Sequence, residues 1–519
     1  MIQFLTAFNI FILGYFAAIN GMYLVLSLRA FRSLRRYTDR LESLQIDDLL
    51  ESSGGLPISL VVPAFNEAET IVASVRSLLT LQYADYEIVV VNDGSTDRTL
   101  AVLRDAFDLE PVVRVPTSDL PSAAMHAIYQ GVQHRSLVVV DKANGGKADA
   151  LNVGLNYSRS ALFCAMDADT ILEPDALARV VRPFLEDAST VAVGGIVRIA
   201  NGCTIDAGAV DDVRLPKSIL VRFQVLEYLR SFLSARVGWN TIGATLIISG
   251  AFGAFRRSVV ADAGGFDTST VGEDMELIVR LHRHCRDLGR PYRIEFIPDP
   301  VAWTEAPESI RQLARQRDRW QRGLAQVVGR HRRMVMNPKY GVPGLVALPY
   351  YVAFELFGPV IEVLGYAGFV VALIAGQASV VYAVSFLAVA VFLGSAISVS
   401  AVALEEISFR RYRRFKDLLA LLGIARVENF GYRQMTTWWR LRGLFSATRG
   451  DSRWGVMERR GLERTADRAA DMDGETGTTV WHSGLTEPVE SESGFAVAEQ
   501  ETHWVHMRGE GGTDIGVLP

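Results

Sequence analysis

Two long apolar regions stand out in the chain, one at its beginning and one in its second half. Residues 3–28 carry no charged side chain and are long enough to cross a bilayer as one helix. Residues 341–405 contain two apolar runs with a short break between them, which is the pattern of a helical hairpin. The first run of this pair is too long for one crossing at about 1.5 Å per residue, so we expect part of it to lie along the membrane surface.

Basic residues accompany each of these regions. A cleaved signal peptide is the competing interpretation of residues 3–28, but the apolar run is too long for one and no basic segment precedes it. Arginines follow this run at once, and basic clusters lie on both sides of the hairpin, at positions 330–339 and 410–416. Because positively charged loops stay in the cytoplasm, the sequence predicts a multi-pass protein of the inner or plasma membrane whose intervening domain is cytoplasmic.

Two carboxylates, Glu355 and Glu362, interrupt the first arm of the predicted hairpin, seven positions apart and therefore on one helix face. Carboxylates within a membrane usually face a hydrated interior or a charged partner. A place at headgroup level is an equally good interpretation, and the sequence leaves both open.

Two other segments are predicted to lie at the membrane surface. Leu226, Leu229, Leu233 and Val237 recur at helical spacing, which indicates an amphipathic helix resting on the bilayer. Residues 417–446 begin apolar and soon become charged, so we expect an interfacial or re-entrant segment there.

Between the apolar regions, residues 56–307 alternate short β-branched runs with helical patterns. This alternation is typical of a parallel sheet, in which ligands bind at the carboxyl ends of the strands. The polar clusters "PAFNE", "VNDGSTD" and "DAD" all fall at such predicted strand ends. The coincidence indicates a binding site along that edge of the sheet.

The strand-end carboxylates suggest a metal site. Asp167 and Asp169 follow a fully apolar run and point the same way if the strand extends that far. Mg²⁺ or Mn²⁺ favours one or two carboxylates together with phosphate oxygens of a substrate. Helix capping by Asp169 is the structural alternative.

The other polar clusters are individually less specific. Asp93 in "VNDGSTD" can be a turn or cap residue. Lys147 follows two glycines at a predicted helix start, where free backbone N–H groups attract anions, although the pattern is not an ATP-binding loop. Glu273 and Asp274 open an amphipathic helix, either as first-turn carboxylates or as a general base in a cleft.

Composition narrows the class of partner. Residues 465–519 carry 11 acidic and 2 basic side chains with no sustained apolar period, which indicates a disordered tail. The rest of the chain is mildly basic, which suits an anionic small molecule or a membrane surface, and nothing resembles a nucleic-acid footprint. Three scattered cysteines suggest neither a disulfide framework nor a zinc site.

Taken together, the ordered motifs "VVPAFNE", "VNDGSTD", "NGGKADALN", "DAD", "GED" and "QRDRW" resemble the family 2 glycosyltransferases with a GT-A fold. Within them they resemble the processive, membrane-embedded branch of cellulose, hyaluronan and poly-N-acetylglucosamine synthases. The resemblance covers about residues 56–460 and implies an α/β, Rossmann-like nucleotide-sugar domain inserted between transmembrane helices. It implies an inverting enzyme that polymerises sugar from a UDP-sugar and passes the growing polysaccharide through the lipid bilayer, with Mg²⁺ or Mn²⁺ as cofactor.

The resemblance also implies a role for each motif residue. Asp274 is expected to be the general base, with Glu273 beside it, although this chain has Gly272 where the family motif usually has threonine. The nucleotide-sugar site would comprise Phe65 stacked on uracil, Glu67, Asp93 at the uracil edge, Lys147, Asp167, Gln316 and Arg319. Asp169, with Asp167, would hold the metal, and Trp320 would lie under the terminal sugar of the acceptor.

The spacing of Gln316, Arg319 and Trp320 also places these three residues on one face of a helix.

The stretch at 221–257 resembles the poly-N-acetylglucosamine branch more than the cellulose branch, which favours UDP-N-acetylglucosamine as donor. A non-processive enzyme that adds one sugar to a polyprenyl-phosphate or other lipid is the nearest alternative, and a catalytically dead scaffold is another. The sequence does not identify export or regulatory subunits.

These interpretations divide the chain into seven regions. They are a transmembrane helix (1–28), a basic linker (29–55), the catalytic domain (56–307), an interface helix with the Q-x-x-R-W motif (308–340), the transmembrane hairpin (341–405), a basic interfacial or re-entrant segment (406–464) and the acidic tail (465–519).

Overall fold

The computed structural model of the chain describes residues 2–43, 55–206, 208–374, 376 and 380–449. The predicted acidic tail at 465–519 lies outside the described residues. A mixed sheet of ten strands forms the centre of the described chain, and two further strands form a small separate sheet. The strands are β1 (Ile58–Ala64), β2 (Tyr86–Asp93), β3 (Leu109–Pro111), β4 (Met125–Gly131), β5 (Leu137–Lys142), β6 (Leu162–Met166), β7 (Ile171–Leu172), β8 (Thr190–Ile199), β9 (Thr204–Asp206), β10 (Ala209–Asp212), β11 (Phe252–Arg256) and β12 (Arg293–Thr304).

The large sheet has the strand order β3-β4-β5-β2-β1-β6-β11-β8-β12-β7. Its centre, β5-β2-β1-β6, is parallel, as the alternating pattern predicts. The expectation of a parallel sheet is wrong on either side of this centre, where β4 and β11 run antiparallel to their neighbours. A short connection allows β4 and β5 to pair as a hairpin, which a parallel pair cannot do.

Helices cover both faces of the central strands, whose side chains alternate between two cores. Leu60 and Val62 of β1 belong to one core, while Val61 between them belongs to the other. Burial on both faces explains why these strands read as continuous apolar runs. The helices of this domain are α2 (Ile71–Leu78), α3 (Thr99–Phe107), α4 (Lys147–Tyr157), α5 (Ala176–Glu186), α8 (Arg257–Asp262) and α9 (Glu273–Asp287), after α1 (Ile2–Ser43) at the start of the chain.

Helix α1 runs through the position predicted as the boundary between a span ending at residue 28 and a linker at 29–55. The helix continues without a break to Ser43, and residues 44–54 lie outside the described part. Its continuation has a physical cause, because Leu26, Ala30 and Leu34 recur every four residues and are buried. The arginines between them stay exposed on the opposite face.

The prediction of an amphipathic helix on the membrane surface is correct about the helix and wrong about what covers its apolar face. Residues 219–240 are helical throughout, as α6 (Ile219–Tyr228), a π-helical segment (Leu229–Arg236) and α7 (Val237–Asn240). The apolar stripe from Leu226 to Val237 is buried within the protein and packs into its cores rather than on a bilayer. Helix α7 lies so close to α1 that a Cβ atom on Gly238 would come within 2.6 Å of the Leu26 carbonyl oxygen.

The described chain contains two helical segments long and apolar enough to cross a membrane, Thr6–Tyr37 and Val391–Ser408. A third candidate is the pair Pro343–Leu356 and Gly358–Ile374, whose axes are bent by 43°. This break divides the apolar run that is too long for one crossing. The elements of this region are π-helical Pro343–Ala347, α11 (Leu348–Tyr350), π-helical Tyr351–Leu356, α12 (Gly358–Ile374), α13 (Val380–Leu387), π-helical Ala388–Leu393 and α14 (Gly394–Ser408).

Three more helices connect the sheet domain with these candidate spans. The Q-x-x-R-W motif lies on α10 (Ile310–Arg330), and the segment predicted as interfacial or re-entrant forms α15 (Phe415–Val427) and α16 (Tyr432–Thr448). Helix α16 packs tightly along α10, since a Cβ atom on Gly443 would lie 2.5 Å from the Asp318 carbonyl oxygen. Arg198 of β8 and Glu405 of α14 form a buried, bidentate ion pair at 2.7 and 2.8 Å.

Candidate active site

The carboxyl ends of the four parallel strands bring the predicted motifs to one edge of the sheet. Phe65 and Glu67 follow β1, Asp93 ends β2, and Lys147 begins α4 shortly after β5. Asp167 and Asp169 follow β6. The edge predicted from the sequence pattern is therefore the edge at which these residues meet.

Lys147 lies at the centre of this edge. Its Nζ is 2.5 Å from Asp167 Oδ1 and 3.3 Å from Glu273 Oε1, and it donates a hydrogen bond to the Gly250 carbonyl at 3.1 Å. Burial lowers the pKa of Lys147, but the Asp167 and Glu273 carboxylates outweigh it and hold the pKa above its usual value. The lysine is thus a permanently charged group that joins the "DAD" and "GED" motifs.

Glu273 and Asp274 differ in their surroundings although they are adjacent. Glu273 is buried, and this burial raises its pKa, with the neighbouring Lys147 opposing the rise. Asp274 is half-buried, and its Oδ2 accepts a hydrogen bond from the Gly250 amide at 3.0 Å. Asp274 is the one of the two carboxylates that a substrate can reach.

The strand-end aspartates do not cap helices. Helix α5 begins only at Ala176, several residues beyond Asp169, and α3 begins at Thr99, beyond Asp93. Among the described residues no group of three His, Cys, Asp or Glu side chains forms a ready-made metal site. The half-buried pair Asp167 and Asp169 nevertheless fits Mg²⁺ or Mn²⁺, because these ions take one or two protein carboxylates and complete their shell with water and phosphate oxygens.

The loops after β1 and β2 are joined by hydrogen bonds. The Asn66 side chain accepts from the Thr96 amide at 2.8 Å, and the Glu67 amide donates to Thr99 Oγ1 at 2.9 Å. Asn66 has a positive φ of 57°, which asparagine tolerates better than most residues. Phe65 beside it is 48% exposed, so its ring is available to a ligand.

Helix α10 meets the start of α9 through two glycines. A Cβ atom on Gly272 would lie 3.1 Å from Gly323 Cα, and one on Gly323 would lie 3.1 Å from Gly272 Cα. Gln326 on the same helix accepts hydrogen bonds from Thr270 Oγ1 and from the Val271 amide, both at 3.0 Å. These contacts hold the helix of the Q-x-x-R-W motif against the loop that presents Asp274.

The three residues of that motif differ in exposure. Gln316 is buried, and its Oε1 has no hydrogen-bond partner within the part of the chain described. Arg319 is half-buried. Trp320 is 46% exposed, and the guanidinium carbon of Arg317 lies 4.3 Å from the centre of its ring.

A polar cavity of about 130 Å³ lies among the candidate spans and α16, and Arg317 forms part of its wall. Both Glu355 and Glu362 line it and have charged partners, which favours the first of the two interpretations offered for them. Glu355 pairs with Arg440 at 3.0 Å, and Glu362 pairs with Arg433 at 3.2 Å. The other charged residues of the wall pair in the same way, Arg230 with Glu428 at 2.7 Å and Arg317 with Glu227 at 2.5 Å.

Sequence reasoning missed several residues of the site. Gly250 bridges Lys147 and Asp274 through its backbone, and only its position after the buried stretch 244–248 could have drawn attention to it. Gly323 and Gln326 act across a large sequence separation, which no local spacing reveals. Lys142, at the end of β5, is fully buried against Asp93.

Strand-end carboxylates, the half-buried Lys147 and helix α10 lie together at one edge of a GT-A-like mixed α/β sheet, the arrangement of a transferase site. Residues 56–323 match the family model described as "Glycosyltransferase like family 2". The chain belongs to this family of glycosyltransferase enzymes.

Among curated proteins, the chain is similar to poly-beta-1,6-N-acetyl-D-glucosamine synthases. It is 30% identical over 272 residues to the one from Staphylococcus aureus strain COL, covering 52% of this chain and 55% of that protein. It is 29% identical to the one from Staphylococcus epidermidis, with the same coverage. The chain thus spans about half the length of the curated relatives it matches.

Among solved structures, the mannosyltransferase PcManGT from Pyrobaculum calidifontis, in complex with GDP-Man and Mn²⁺, is 20% identical to the chain. The match covers 80% of this chain and 99% of that one, with a TM-score of 0.45. This likeness is too low to bear on function.

Proposed function

We propose that the protein is an inverting, processive glycosyltransferase that polymerises N-acetylglucosamine from UDP-N-acetylglucosamine and passes the polymer through the membrane. The observation that carries the proposal is the convergence of Lys147, Asp167 and Asp274 at one sheet edge, directly beside the helix of the Q-x-x-R-W motif. The similarity to poly-N-acetylglucosamine synthases supports the choice of sugar.

Asp274 is the proposed general base. The Gly250 amide orients one of its oxygens, and its half-buried position leaves it open to an acceptor hydroxyl. The acceptor oxygen attacks the anomeric carbon as Asp274 takes its proton, and the bond from that carbon to the UDP oxygen breaks on the opposite face. The sugar is transferred with inversion, and UDP leaves with the bonding electron pair.

Positive charge balances the leaving diphosphate. Lys147 lies beside the strand-end carboxylates, and Arg319 projects from α10, so both are proposed to contact the diphosphate. Asp167 and Asp169 are the residues that would hold Mg²⁺ or Mn²⁺, which supplies further positive charge at the leaving group when bound.

Acceptor binding and export are assigned to adjoining features. The exposed ring of Trp320 is the proposed platform for the terminal sugar, since a flat aromatic face fixes a sugar for attack. Arg317 packs on that ring and also lines the polar cavity, so this residue connects the proposed platform with the cavity. We assign the exit of the polymer to this cavity, between spans whose basic flanking segments lie in the cytoplasm.

Synthesis is tested with the purified protein in lipid nanodiscs, given one labelled UDP-sugar at a time. A ladder of polymer lengths from UDP-N-acetylglucosamine alone is the expected result. A single lipid-linked sugar would instead establish the non-processive alternative, and no transfer from any donor would indicate a scaffold without activity.

The base assignment is tested with Asp274→Asn, which should bind UDP as the unmodified protein does and stop transfer. Asp262→Asn is the matched control, because Asp262 is a mostly exposed carboxylate of the same domain that pairs with Arg290 at 3.4 Å. Turnover that survives Asp274→Asn would disprove the assignment. Export is measured separately in proteoliposomes, where polymer made from external donor should resist an added external glycan hydrolase until detergent is present.

A further inference from the structure

The π-helical segment Leu229–Arg236 packs beside the candidate base. Its Phe232 belongs to the same buried core as Ala251, the residue after the glycine whose amide orients Asp274. Segments of π-helix are rare and frequently occur at functional sites. The last residue of this segment is an arginine that no part of the proposed mechanism uses.

The guanidinium group of this arginine, Arg236, has buried donors without acceptors. Its Nε and Nη1 are shielded from solvent and make no hydrogen bond to any described residue. The carbon of the group lies 3.8 Å from the centre of the Phe232 ring, a cation–π contact that provides no oxygen to accept its protons. Because buried polar groups are nearly always hydrogen-bonded, these two donors require a partner from outside the described chain.

Other arginines near the cleft have carboxylate partners. Arg198, Arg230 and Arg317 each form an ion pair with a glutamate, at 2.7, 2.7 and 2.5 Å. The shielded nitrogens of Arg236 have no such partner among the described residues. A guanidinium buried without a counter-charge costs stability, because nothing offsets the loss of its hydration. A ligand rich in oxygen acceptors would offset this cost.

Asp274 and Tyr351 are close to this guanidinium. Burial lowers the pKa of Arg236, and the groups that most oppose this fall are Tyr351 and Asp274. Tyr351 begins the π-helical segment that also carries Glu355 of the polar cavity wall. The ring of Tyr351 lies 6.5 Å from that of Trp239, three residues after the arginine. The guanidinium thus lies between the candidate base and the segment that leads to the cavity.

The position beside the base decides which substrate meets Arg236. In an inverting transfer the acceptor and the leaving diphosphate lie on opposite faces of the anomeric carbon, and the base lies on the acceptor's side. A group beside Asp274, on the way to the cavity, therefore meets the acceptor rather than the diphosphate. Hydroxyl and acetamido oxygens of a sugar accept hydrogen bonds, and a guanidinium presents five donors in one plane.

We propose that Arg236 is an acceptor-binding residue whose guanidinium donates hydrogen bonds to oxygen atoms of the acceptor's terminal sugar, with the Phe232 ring holding the group in place. The inference rests on the proposed function in taking an N-acetylglucosamine polymer as the acceptor. It adds directed hydrogen bonds to the flat platform assigned to Trp320.

The test compares two arginines of the helical stretch 219–240, in the full chain in nanodiscs. Arg236→Met removes the unpaired guanidinium, whereas the control Arg222→Met removes one whose Nε donates to the Pro216 carbonyl at 2.7 Å. Calorimetry measures the affinity for UDP with Mg²⁺ and for the N-acetylglucosamine tetramer of the linkage that the unmodified protein makes. Melting temperatures of all variants are recorded. Arg236→Lys, which keeps the charge, carries the test if Arg236→Met does not fold.

Arg236→Met should weaken binding of the tetramer at least about tenfold, the loss expected for one hydrogen bond to a charged group, and leave the affinity for UDP unchanged. Its melting temperature should not fall, because the two shielded nitrogens have no partner in the described protein. Arg222→Met should show the opposite pattern, with a lower melting temperature and unchanged affinity for both ligands. Arg236→Lys should keep only part of the tetramer affinity, since an ammonium group lacks the planar fork of donors.

Unchanged tetramer binding in Arg236→Met would overturn the inference, and so would tetramer affinity in Arg236→Lys equal to that of the unmodified protein. A loss of UDP affinity in Arg236→Met would overturn it as well, because the guanidinium would then contact the diphosphate. An unmodified protein that makes polymer but does not bind the tetramer would overturn this inference alone. One that makes no polymer from UDP-N-acetylglucosamine would overturn the proposed function, and the inference with it.

Discussion

The contact between Gly272 and Gly323 gives the sharpest test of how the catalytic domain and helix α10 cooperate. The change is Gly272→Thr, which restores the residue more usual in the related motif. The new Cβ atom would lie 3.1 Å from Gly323 Cα, whereas carbon atoms in good contact are about 3.5–4.0 Å apart. Backbone atoms cannot rotate away as a side chain does, so α10 must move back by about 0.5 Å.

The expected losses of rate and of stability follow from this displacement. A misplacement of 1 Å costs about 10²-fold in rate, so half of it should lower kcat about tenfold, with a loss of about 1–3 kcal/mol of stability from overpacking. UDP affinity should fall less than kcat, since Lys147 and the "DAD" carboxylates stay in place and only Arg319 moves with α10. The assay measures initial rates of polymer formation at saturating donor, together with calorimetric binding of UDP.

Two further variants complete that test. Gly323→Ala should reproduce the effect from the opposite side, because its Cβ atom would lie 3.1 Å from Gly272 Cα. Gly329→Ala is the matched control on the same helix, since a Cβ atom there meets nothing within 4 Å. An unchanged kcat in Gly272→Thr would refute the reasoning, as would an equal loss in the control.

Three other predictions concern separate parts of the molecule. Trp320→Ala should shorten the polymer and weaken acceptor binding about tenfold while leaving UDP binding intact; unchanged chain lengths on a sizing gel would contradict the platform role. Burial lowers the pKa of His282 to about 4, so the folded state stays neutral while the unfolded state takes up a proton below about pH 6.5. Stability should therefore fall by about 1.4 kcal/mol between pH 7.5 and pH 5.5, and His282→Gln should remove this part of the pH dependence of the melting temperature; an unchanged dependence would contradict it. Glu405→Gln should cost about 3–5 kcal/mol by leaving Arg198 buried without its charged partner, and the double change Arg198→Met with Glu405→Leu should recover most of it in a thermal melt; a double variant no more stable than the single one would count against this account.

The local pattern of apolar and polar residues predicts some features of the site and not others. The edge that gathers Asp93, Lys147 and Asp167 could be predicted, because parallel strands with apolar runs must end together. The contacts of Lys142 with Asp93 and of Gly250 with Lys147 could not, since each joins residues far apart in the chain.

One wrong prediction and one unforeseen helix extension have a common physical origin. The apolar residues from Leu226 to Val237 lie on one helix face, but their helical spacing does not indicate whether lipid or protein covers that face. The arginines after residue 28 suggest a linker, but Ala30 and Leu34 between them are buried against the catalytic domain and the helix continues. In both cases the covering partner comes from a distant part of the chain.

The paired charges of the polar cavity bear on what would drive the export proposed for it. Its wall, as far as the structure describes it, carries four arginines and four glutamates, and each arginine has a carboxylate within 3.2 Å. A cavity balanced in this way suits an uncharged polymer. A membrane potential of 100 mV does about 2.3 kcal/mol of work on each elementary charge that crosses, and none on a neutral chain. On the proposed export route, ionophores that collapse the potential should therefore leave the rate of export unaltered, and the sugar-transfer reaction would supply the free energy for movement.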